Sequence, residues 1–398
     1  MGVDRTFQEQ RIEHARSVRR RLVAHIRSGG TTDMAPCNMR LPASCYTDPE
    51  RWRVERRRLF EERPVIACLS RDIPQTGDSI AFKVLGHSVI IVRDSDGQVR
   101  AFRNRCAHRG AQLLREDPSI VRNSGRLTCP FHGWSYDLTG ALSNIPGQEG
   151  FDSASVAACR LASVAATEWA GAVFVQARGD MPLDILGYLG SFGPLLASLE
   201  MDRMTRVQSS GLVARTNWKY AIDTYAENYH FGVLHAKSIG ESHFTNIAAF
   251  EPHGQHWMLN FAERQLAVLA RRPEDEWPDA HHNGTYFIFP NSIIVAGDLE
   301  PGERFIRLFR IFPGDTPGEM SCIFSVYTSG LSADEFHARF AEGDDSKADI
   351  TREDYDIAEG AWSNLITAEP DFTLTLGRNE VAVQAFHRAV FAATGLPP

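Results

Sequence analysis

"CAHRG" at residues 106–110 and "CPFHGW" at residues 129–134 each offer one thiol and one imidazole. The spacings are Cys106-x-His108 and Cys129-x-x-His132. Two cysteines and two histidines are a common zinc set, but such sites usually take both cysteines from one loop and both histidines from another. One ligand of each kind from each loop suits a [2Fe–2S] cluster, in which two thiolates bind one iron and two imidazoles bind the other. The pattern therefore favours an iron–sulfur cluster and leaves structural zinc as the alternative.

The composition is that of a globular protein with two or three domains. The 398 residues are 43% hydrophobic and 23% charged, and the net charge of −8 argues against nucleic acid or an anionic membrane as a partner. The Arg-rich first thirty residues carry Glu9 and Glu13 and lack an apolar core, so we expect an amphipathic helix and no targeting segment. Seven cysteines with no disulfide-like clustering predict a cytoplasmic location.

The order of patterns along the chain predicts an α+β fold. Alternating and apolar runs over residues 60–178 predict a β-rich domain that carries the two Cys/His loops. Residues 179–398 combine helical stretches, among them 183–199 and a longer helix over 218–235, with the strands at 285–297, 304–312 and 319–328, which predicts helices over an antiparallel sheet, a helix-grip-like arrangement. Residues 1–59 form a separate helical segment that we expect to pack with this C-terminal domain.

A second group of candidate ligands lies in "DTYAENYHFGVLH" at residues 223–235. His230 and His235 are five residues apart, which puts them about 140° apart on an ideal helix. A shared metal ion therefore requires the helix to end or distort between them, and Gly232 makes a distortion easier. Two histidines with one carboxylate form a facial triad that binds Fe(II) and leaves positions open. Two polar residues on a surface helix are the alternative.

Both groups together resemble the large (alpha) subunits of Rieske non-haem iron oxygenases, of the aromatic-ring-hydroxylating dioxygenase type. The resemblance is carried by "CAHRG…CPFHGW", by "NWK" at 217–219 and by the histidine pair. It implies that Cys106 and Cys129 bind the inner iron of a Rieske cluster, while His108 and His132 bind the outer iron. It also implies that His230 and His235 bind a mononuclear Fe(II).

The resemblance assigns carboxylates as well. The third iron ligand is expected to be an Asp in the C-terminal helical region, and "EPDFTLTLG" at 369–377 points to Asp371, with Glu369 and Asp356 as alternatives. Glu227 matches the carboxylate that joins an iron-ligating histidine to a Rieske histidine of the neighbouring subunit. Asp223, one turn earlier, either tunes the iron pocket or is a solvated acid.

The function that this resemblance implies is that of a terminal oxygenase. Electrons come from a separate NAD(P)H-dependent reductase, with or without a ferredoxin. O₂ is used to hydroxylate a small organic substrate, and an aromatic compound or aromatic acid ranks first among the candidates. A head-to-tail homotrimer is expected. The alternatives are oxidative demethylation or monooxygenation of a quaternary amine, a Rieske electron-transfer protein, and a zinc-stabilised binding module. Arg307 and Arg310 are candidates for a substrate carboxylate, and the predicted pocket residues are Phe244, Phe250, Trp257, Phe287, Phe289, Asn291, Phe309 and Trp362.

Overall fold

The computed structural model describes residues 2–116, 121–300 and 302–398, apart from the side chains of residues 2–6 and 340–349. The chain forms two compact units. The β-rich unit contains 57–188 and 201–203, and the larger unit contains Met1–Arg56, Leu189–Glu200 and Met204–Pro398. The N-terminal segment thus clusters with the C-terminal part of the chain, and residues 179–188 and 201–203 belong to the β-rich unit.

Runs of antiparallel strands are separated along the chain by helices, as in an α+β protein, which confirms the predicted fold class. The α-helices are α1 Gly2–Arg27, α2 Ser44–Thr47, α3 Pro49–Glu55, α4 Ser153–Val156, α5 Ile185–Leu189, α6 Gly193–Ala197, α7 Trp218–Asp223, α8 Ile239–Ser242, α9 Leu266–Leu269, α10 Ala333–Leu365 and α11 Val381–Thr394. The first strands are β1 Met39–Pro42, β2 Val65–Leu69, β3 Asp78–Val84, β4 His87–Arg93, β5 Val99–Arg103, β6 Arg122–Asn123, β7 Leu127–Thr128, β8 Ser135–Tyr136, β9 Leu142–Asn144, β10 Ser163–Trp169 and β11 Ala172–Gln176. The later strands are β12 Thr205–Ala214, β13 His243–His253, β14 His256–Glu263, β15 Asn283–Ile288, β16 Ser292–Asp298, β17 Arg304–Pro313, β18 Met320–Ser329 and β19 Thr373–Leu376.

The β-rich unit is built on an antiparallel sheet in the order β2-β11-β10-β5-β4-β3-β6 and a small sheet in the order β7-β8-β9. The first Cys/His loop follows β5, and the second connects β7 to β8. A buried cluster of apolar side chains that includes Trp134, Tyr136 and Leu113 surrounds both cysteines. The two loops therefore share one core.

The larger unit is built on a seven-stranded antiparallel sheet in the order β12-β18-β17-β16-β15-β14-β13. Val18 and Leu22 of α1 pack on one face of it, against Ala249 and Ala262. Phe386 of α11 lies 5.4 Å from Phe287 on the other face. Successive side chains of a strand point to opposite faces of a sheet. These contacts therefore put α1 on one face of the sheet and α11 on the other.

Capping residues fix where the helices of the larger unit begin. Asn217 accepts a hydrogen bond from Lys219 N at 3.0 Å and starts α7. Ser332 and Glu335 form a reciprocal capping box at the start of α10.

The long helix expected over 218–235 is wrong, because α7 ends at Asp223 and the chain continues in turns. The helical stretch expected over 183–199 is likewise broken, into α5, a 3-10 turn and α6.

No helix in the described part of the chain combines the length and the apolar character needed to cross a membrane.

Candidate iron–sulfur and iron sites

The two Cys/His loops repeat the same hydrogen-bonded turn. Gly110 N donates to Cys106 O at 3.0 Å, and Gly133 N donates to Cys129 O at 3.1 Å. Both glycines have positive φ, 77° and 74°, which non-glycine residues rarely adopt. Each turn is closed by its cysteine N–H, which donates at 2.8 Å to the residue five positions on, Ala111 or Trp134. The sequence spacing C-x-H-x-G and C-x-x-H-G is therefore the spacing of one turn built twice.

These turns place the two cysteine thiols in the core of the unit and the two histidine rings nearer its surface. Cys106 and Cys129 are buried, whereas His132 is exposed. The rings of His108 and His132 lie 4.8 Å apart, and the His108 ring stacks on Trp134 at the same distance. The Tyr136 hydroxyl lies 3.2 Å from Cys106 Sγ and can donate to it. This is a thiolate environment with a polar donor on one side.

The donor set fits the group that the sequence predicts. Two buried thiols and two imidazoles meet from two loops, and His108 Nδ1 is buried with no hydrogen-bond partner among the described residues. An imidazole nitrogen in that state can serve as a metal ligand. Zinc remains chemically compatible with four such ligands, but the pairing of one cysteine with one histidine in each loop matches two unlike irons.

The second site lies in the larger unit, where His230, His235 and Asp354 come together. One ligand atom from each of the three lies within 4.8 Å of the others. His235 Nε2 is 3.0 Å from Asp354 Oδ1, and His230 Nε2 is 3.5 Å from the same oxygen. The two rings are 4.9 Å apart. Two histidines and one carboxylate in this arrangement are a ligand set for non-haem Fe(II).

Close packing of the turns after α7 brings the two histidines together. Asn228 is buried and donates to Phe244 O at 3.0 Å and Ile247 O at 3.1 Å, which ties the segment to β13. A Cβ atom on Gly232 would overlap Thr245 Oγ1, so any larger residue here would require the Thr245 side chain or the segment to shift. The predicted distortion between His230 and His235 is thus present, and it consists of the loss of regular helix.

Two further carboxylates orient the histidines. Glu227 Oε1 accepts a hydrogen bond from His230 Nδ1, and Glu353 Oε2 accepts one from His235 Nδ1 at 2.7 Å. Both carboxylates favour a proton on Nδ1, so Nε2, the atom that faces Asp354, would be the ligand atom once a metal ion replaces the hydrogen bond between His235 Nε2 and Asp354. Glu353, the neighbour of Asp354 on α10, was not found by sequence reasoning.

Burial and close pairing shift the pKa values of this group. Burial raises the pKa of Asp354, although the hydrogen bond from His235 opposes that shift. Burial lowers the pKa of His235, but the hydrogen bonds to Asp354 and Glu353 outweigh it, so the net pKa is raised. Both directions follow from an imidazole and carboxylates held together out of water.

The prediction of Asp371 as the third ligand is corrected by this geometry. Asp371 and Glu369 are exposed, in the turn before β19, and the structure does not bring either to the histidines. Asp356 is on α10, but its side chain is 70% exposed and is not part of the group formed by the two histidines. Asp354 lies on the buried stripe of the same helix together with Tyr355 and Ala358. An acid within a helical apolar stripe is the signal that could have identified it.

Asp223 lies in a separate buried network, and the structure does not place it among the metal-binding atoms. Tyr46 Oη donates to Asp223 Oδ2 at 2.7 Å, and His387 Nε2 is 3.0 Å from Asp223 Oδ1. Tyr46 and His387 are both fully buried, so Asp223 is not a solvated acid. The contacts show a link between α7, α11 and the N-terminal segment.

A cavity of about 1280 Å³ adjoins the His/His/Asp group. It exposes the three candidate ligands together with aromatic side chains, among them Tyr225, Phe261, Phe305, Phe309 and Phe324. Of the eight predicted pocket residues only Phe309 lines it. Trp257 and Phe287 instead stack on each other at 4.9 Å, and Phe287 packs against α11.

Fold and site together match the two-domain arrangement of a non-haem iron oxygenase that carries its own Rieske domain. Comparisons with known proteins agree. Residues 201–395 match the family model of the ring hydroxylating alpha subunit (catalytic domain), and residues 63–162 match that of the Rieske [2Fe-2S] domain. The chain therefore carries a Rieske [2Fe-2S] domain and a ring-hydroxylating alpha-subunit catalytic domain, and these two domains imply a Rieske cluster and a mononuclear non-haem iron.

Proteins similar to this chain are named for different substrates. The chain is 32% identical over 195 residues to the glycine betaine monooxygenase oxygenase subunit of Chromohalobacter salexigens, which covers 49% of this chain and 43% of that protein. It is 28% identical over 267 residues to the biphenyl dioxygenase subunit alpha of Paraburkholderia xenovorans, covering 63% of this chain and 54% of that one. The chain thus spans about half the length of these two relatives.

A solved structure shows the same fold over most of both chains. The crystal structure of a quaternary ammonium Rieske monooxygenase in complex with an inhibitor superimposes with a TM-score of 0.75. The match covers 91% of this chain and 96% of that one, at 19% sequence identity.

Proposed function

We propose that this chain is a terminal oxygenase component that hydroxylates a small organic substrate, an aromatic compound or aromatic acid, with O₂ and with electrons from a separate reductase. The observation that carries the proposal is the His230/His235/Asp354 group at the wall of an aromatic-lined cavity, in a chain that also holds the two Cys/His loops. A Rieske electron-transfer protein has no use for that group or for the cavity.

Each part of the chain has a defined task in this proposal. Cys106, Cys129, His108 and His132 would hold the [2Fe–2S] cluster, and His230, His235 and Asp354 would hold the iron. When bound, the cluster supplies single electrons and the ferrous ion supplies the site for O₂ activation. Glu227 and Glu353 keep a proton on Nδ1 of their histidines, so that each Nε2 stays available as a ligand. The aromatic side chains exclude water and orient the substrate.

We propose further that the electron donor is an NAD(P)H-dependent reductase, with or without a ferredoxin, and that the chain works as a homotrimer. In this assembly Glu227 accepts a hydrogen bond from a Rieske histidine of the neighbouring subunit while it holds His230. A carboxylate between two imidazoles would fix both rings and shorten the path of the electron.

Oxidation of a quaternary amine is the second candidate. It is favoured by the relative named for glycine betaine and by the fold match to a quaternary ammonium monooxygenase. Aromatic rings can bind a quaternary ammonium group through cation–π contacts, so the cavity lining is compatible with both substrate classes.

The test is metal analysis followed by a substrate panel. The purified chain should contain acid-labile sulfide and the iron of one [2Fe–2S] cluster plus one further iron ion. With a surrogate reductase, O₂ uptake should depend on substrate and match product, with peroxide measured to detect uncoupling. A colourless protein that holds zinc and no labile sulfide after anaerobic reconstitution would contradict the proposal. Labile sulfide with no substrate-dependent O₂ uptake across aromatic acids and quaternary amines would favour electron transfer.

A further inference from the structure

We propose that the cavity contains a second binding compartment, on the α1 face of the seven-stranded sheet, which binds a small neutral molecule whose apolar body carries a hydrogen-bond donor next to an acceptor. The residue that recognises this molecule is Asn260 of β14. We call the site the α1 compartment, and it is lined by Val18, Leu22, Asn260, Leu266, Ala280 and His282. This site goes beyond the proposed function, because it requires neither metal centre.

The cavity reaches both faces of the sheet. Leu259 and Asn260 are neighbours on β14 and both line the cavity, although successive side chains of a strand point to opposite faces. Phe261 shares the face of Leu259, and its ring packs at 5.1 Å against Phe231, which follows His230 in the chain. The Leu259 face is therefore the face of the candidate iron ligands, and Asn260 points to the other face.

The pairing of β14 with β13 shows what lies opposite Asn260. Asn260 pairs with Ala249, and side chains directly opposite one another in a sheet share a face. Ala249 belongs to the buried apolar cluster that includes Val18 and Leu22 of α1. The amide of Asn260 is therefore on the face of the sheet that α1 covers.

An outer wall closes the α1 compartment. Leu266 of α9 packs against the same apolar cluster. Trp277 Nε1 donates to Leu269 O at 3.1 Å, which holds the chain before β15 against α9. Ala280 in that part of the chain is buried and lines the cavity. Four of the six lining residues are thus apolar, and such a lining suits an apolar ligand body.

Asn260 lacks hydrogen-bond partners in this apolar setting. The residue is 3% exposed, and both Nδ2 and Oδ1 are buried with no partner among the described residues. Asparagine is depleted in strands, and a buried amide without hydrogen bonds is less favourable than an apolar side chain of similar shape. A Cβ atom at Gly284 would lie 2.8 Å from Asn260 Oδ1, so the glycine leaves room for the amide. A ligand with a donor and an acceptor would satisfy both amide atoms.

His282 supplies a second polar group. Its Nδ1 is buried with no partner among the described residues, and its Nε2 lies 2.6 Å from Tyr286 Oη, which fixes the ring. Burial lowers the pKa of His282 to about 3, so the ring is neutral at neutral pH. Arg19 also lines the cavity, but its guanidinium donates to Pro278 O at 2.7 Å and lies over the Trp277 ring. The two polar groups of the α1 compartment are therefore uncharged and match a neutral ligand.

The proposal is tested by calorimetry on the metal-loaded protein under anaerobic conditions, with three probes. Benzamide carries a neutral donor and acceptor on a ring, toluene carries the ring alone, and benzoate carries a charged acceptor. We expect N260L to weaken the binding of benzamide about 10–100-fold, because the amide of the ligand loses its partners, and to leave toluene and benzoate within about twofold. The matched control is T285V, which removes a hydroxyl from the residue paired with Leu259, on the face of the candidate iron ligands, and should leave benzamide within about twofold.

Each outcome supports or overturns the α1 compartment. N260A removes the same amide without adding apolar bulk and should also weaken benzamide, so a folding defect of N260L leaves the test intact. Equal binding of benzamide by the native protein and the Asn260 variants, or a loss in T285V instead, overturns the proposal. No binding by the native protein also overturns it and leaves ordered water as the partner of the amide. Equal weakening of benzamide and benzoate would overturn the neutral class of ligand. Iron and labile sulfide, measured on the same preparations, test the oxygenase separately.

Discussion

His235 Nε2 lies 3.0 Å from Asp354 Oδ1, although the two residues are 119 positions apart in the sequence. The histidine comes from the turns that follow α7, and the aspartate comes from the middle of α10. Asp354 is also 3.5 Å from His230 Nε2, so one carboxylate oxygen faces both imidazoles. This is the relationship that a facial triad requires, and it makes Asp354 the proposed third ligand.

The D354A variant should lose the mononuclear iron and keep the cluster. Removal of a ligand should reduce iron affinity by at least the roughly 10–100-fold that follows the loss of an outer partner. Iron and labile sulfide per chain, with the visible spectrum of the cluster, measure this. D371A removes an exposed carboxylate in the turn before β19 and should retain all of its iron. Iron loss in D371A with retention in D354A would restore the assignment that the sequence predicts.

Glu353 should support iron binding because it orients His235. The E353Q variant replaces the carboxylate that holds the Nδ1 proton of His235, which weakens the definition of the tautomer. We expect iron affinity to fall about 10–100-fold, with substrate turnover reduced once iron is limiting. Iron affinity is measured by competition with a chelator. D356N is the control, because Asp356 is on the same helix with its side chain 70% exposed. Equal iron affinity in the two variants would remove Glu353 from the site.

Glu227 should couple the two metal centres. E227A should keep both metals when iron is supplied in excess, because Glu227 orients His230 without being a ligand, while oxidation of the reduced cluster by the substrate-bound enzyme slows. Loss of such an outer partner lowers activity about 10–100-fold. Rapid mixing of the reduced protein with O₂ and substrate measures cluster oxidation and product together. Native rates of both in E227A would refute the bridge.

Gly232 should be required for packing. In G232A the new methyl group overlaps Thr245 Oγ1, and overpacking of this kind destabilises a protein by about 1–3 kcal/mol. The double variant G232A/T245A removes that oxygen and leaves the Cβ atom of residue 245, which is 3.4 Å from the new methyl carbon, so stability should recover. Urea unfolding measures both. G360A, where a methyl group meets nothing within 4 Å inside α10, should not destabilise.

The β-rich unit illustrates how much the sequence reveals when the ligands are local. Cys106 and His108 come from one turn and Cys129 and His132 from another, and each turn is determined by a glycine at a fixed offset. Local spacing therefore carries the information needed to predict the donor set. The same holds for the strands of both sheets, since alternation and apolar runs are properties of neighbouring residues.

The iron site depends on contacts that no local pattern contains. Asp354 and Asp371 are both acids in the C-terminal region, and only the rotation of α10 about its axis brings Asp354 inward. The expected helix over 218–235 failed for a similar reason, because contacts distant in sequence, such as those of Asn228 with Phe244 O and Ile247 O, hold the turns after Asp223.

The aromatic residues of the pocket were mostly mispredicted, because Trp257 and Phe287 lie on the same face of the sheet as the cavity residues Leu259 and Thr285 but Phe287 packs against α11. Apolar character does not distinguish the part of that face that lines the cavity from the part that a helix covers.

His282 should make the larger unit sensitive to acid. Burial, assisted by repulsion from His14, Arg11 and Arg304, lowers the pKa of His282 to about 3, whereas a histidine in an unfolded chain titrates near 6.5. Above about pH 6.5 the ring is neutral in both states. Between about pH 6.5 and 3 only the unfolded chain takes up the proton, so the free energy of unfolding falls by up to about 1.4 kcal/mol per pH unit.

The H282Q variant tests whether His282 lowers the free energy of unfolding as the pH falls. At pH 8 it should be less stable than the native protein by about 1 kcal/mol, because the hydrogen bond between His282 Nε2 and Tyr286 Oη, 2.6 Å long, is altered. At pH 5 the native protein bears the unfavourable proton linkage and H282Q does not, so the difference should shrink or reverse. Urea unfolding at both pH values measures it. H281Q replaces the adjacent, exposed histidine and should stay parallel to the native protein. A constant offset for H282Q between pH 8 and 5 would show that His282 takes up its proton equally in the folded and unfolded states.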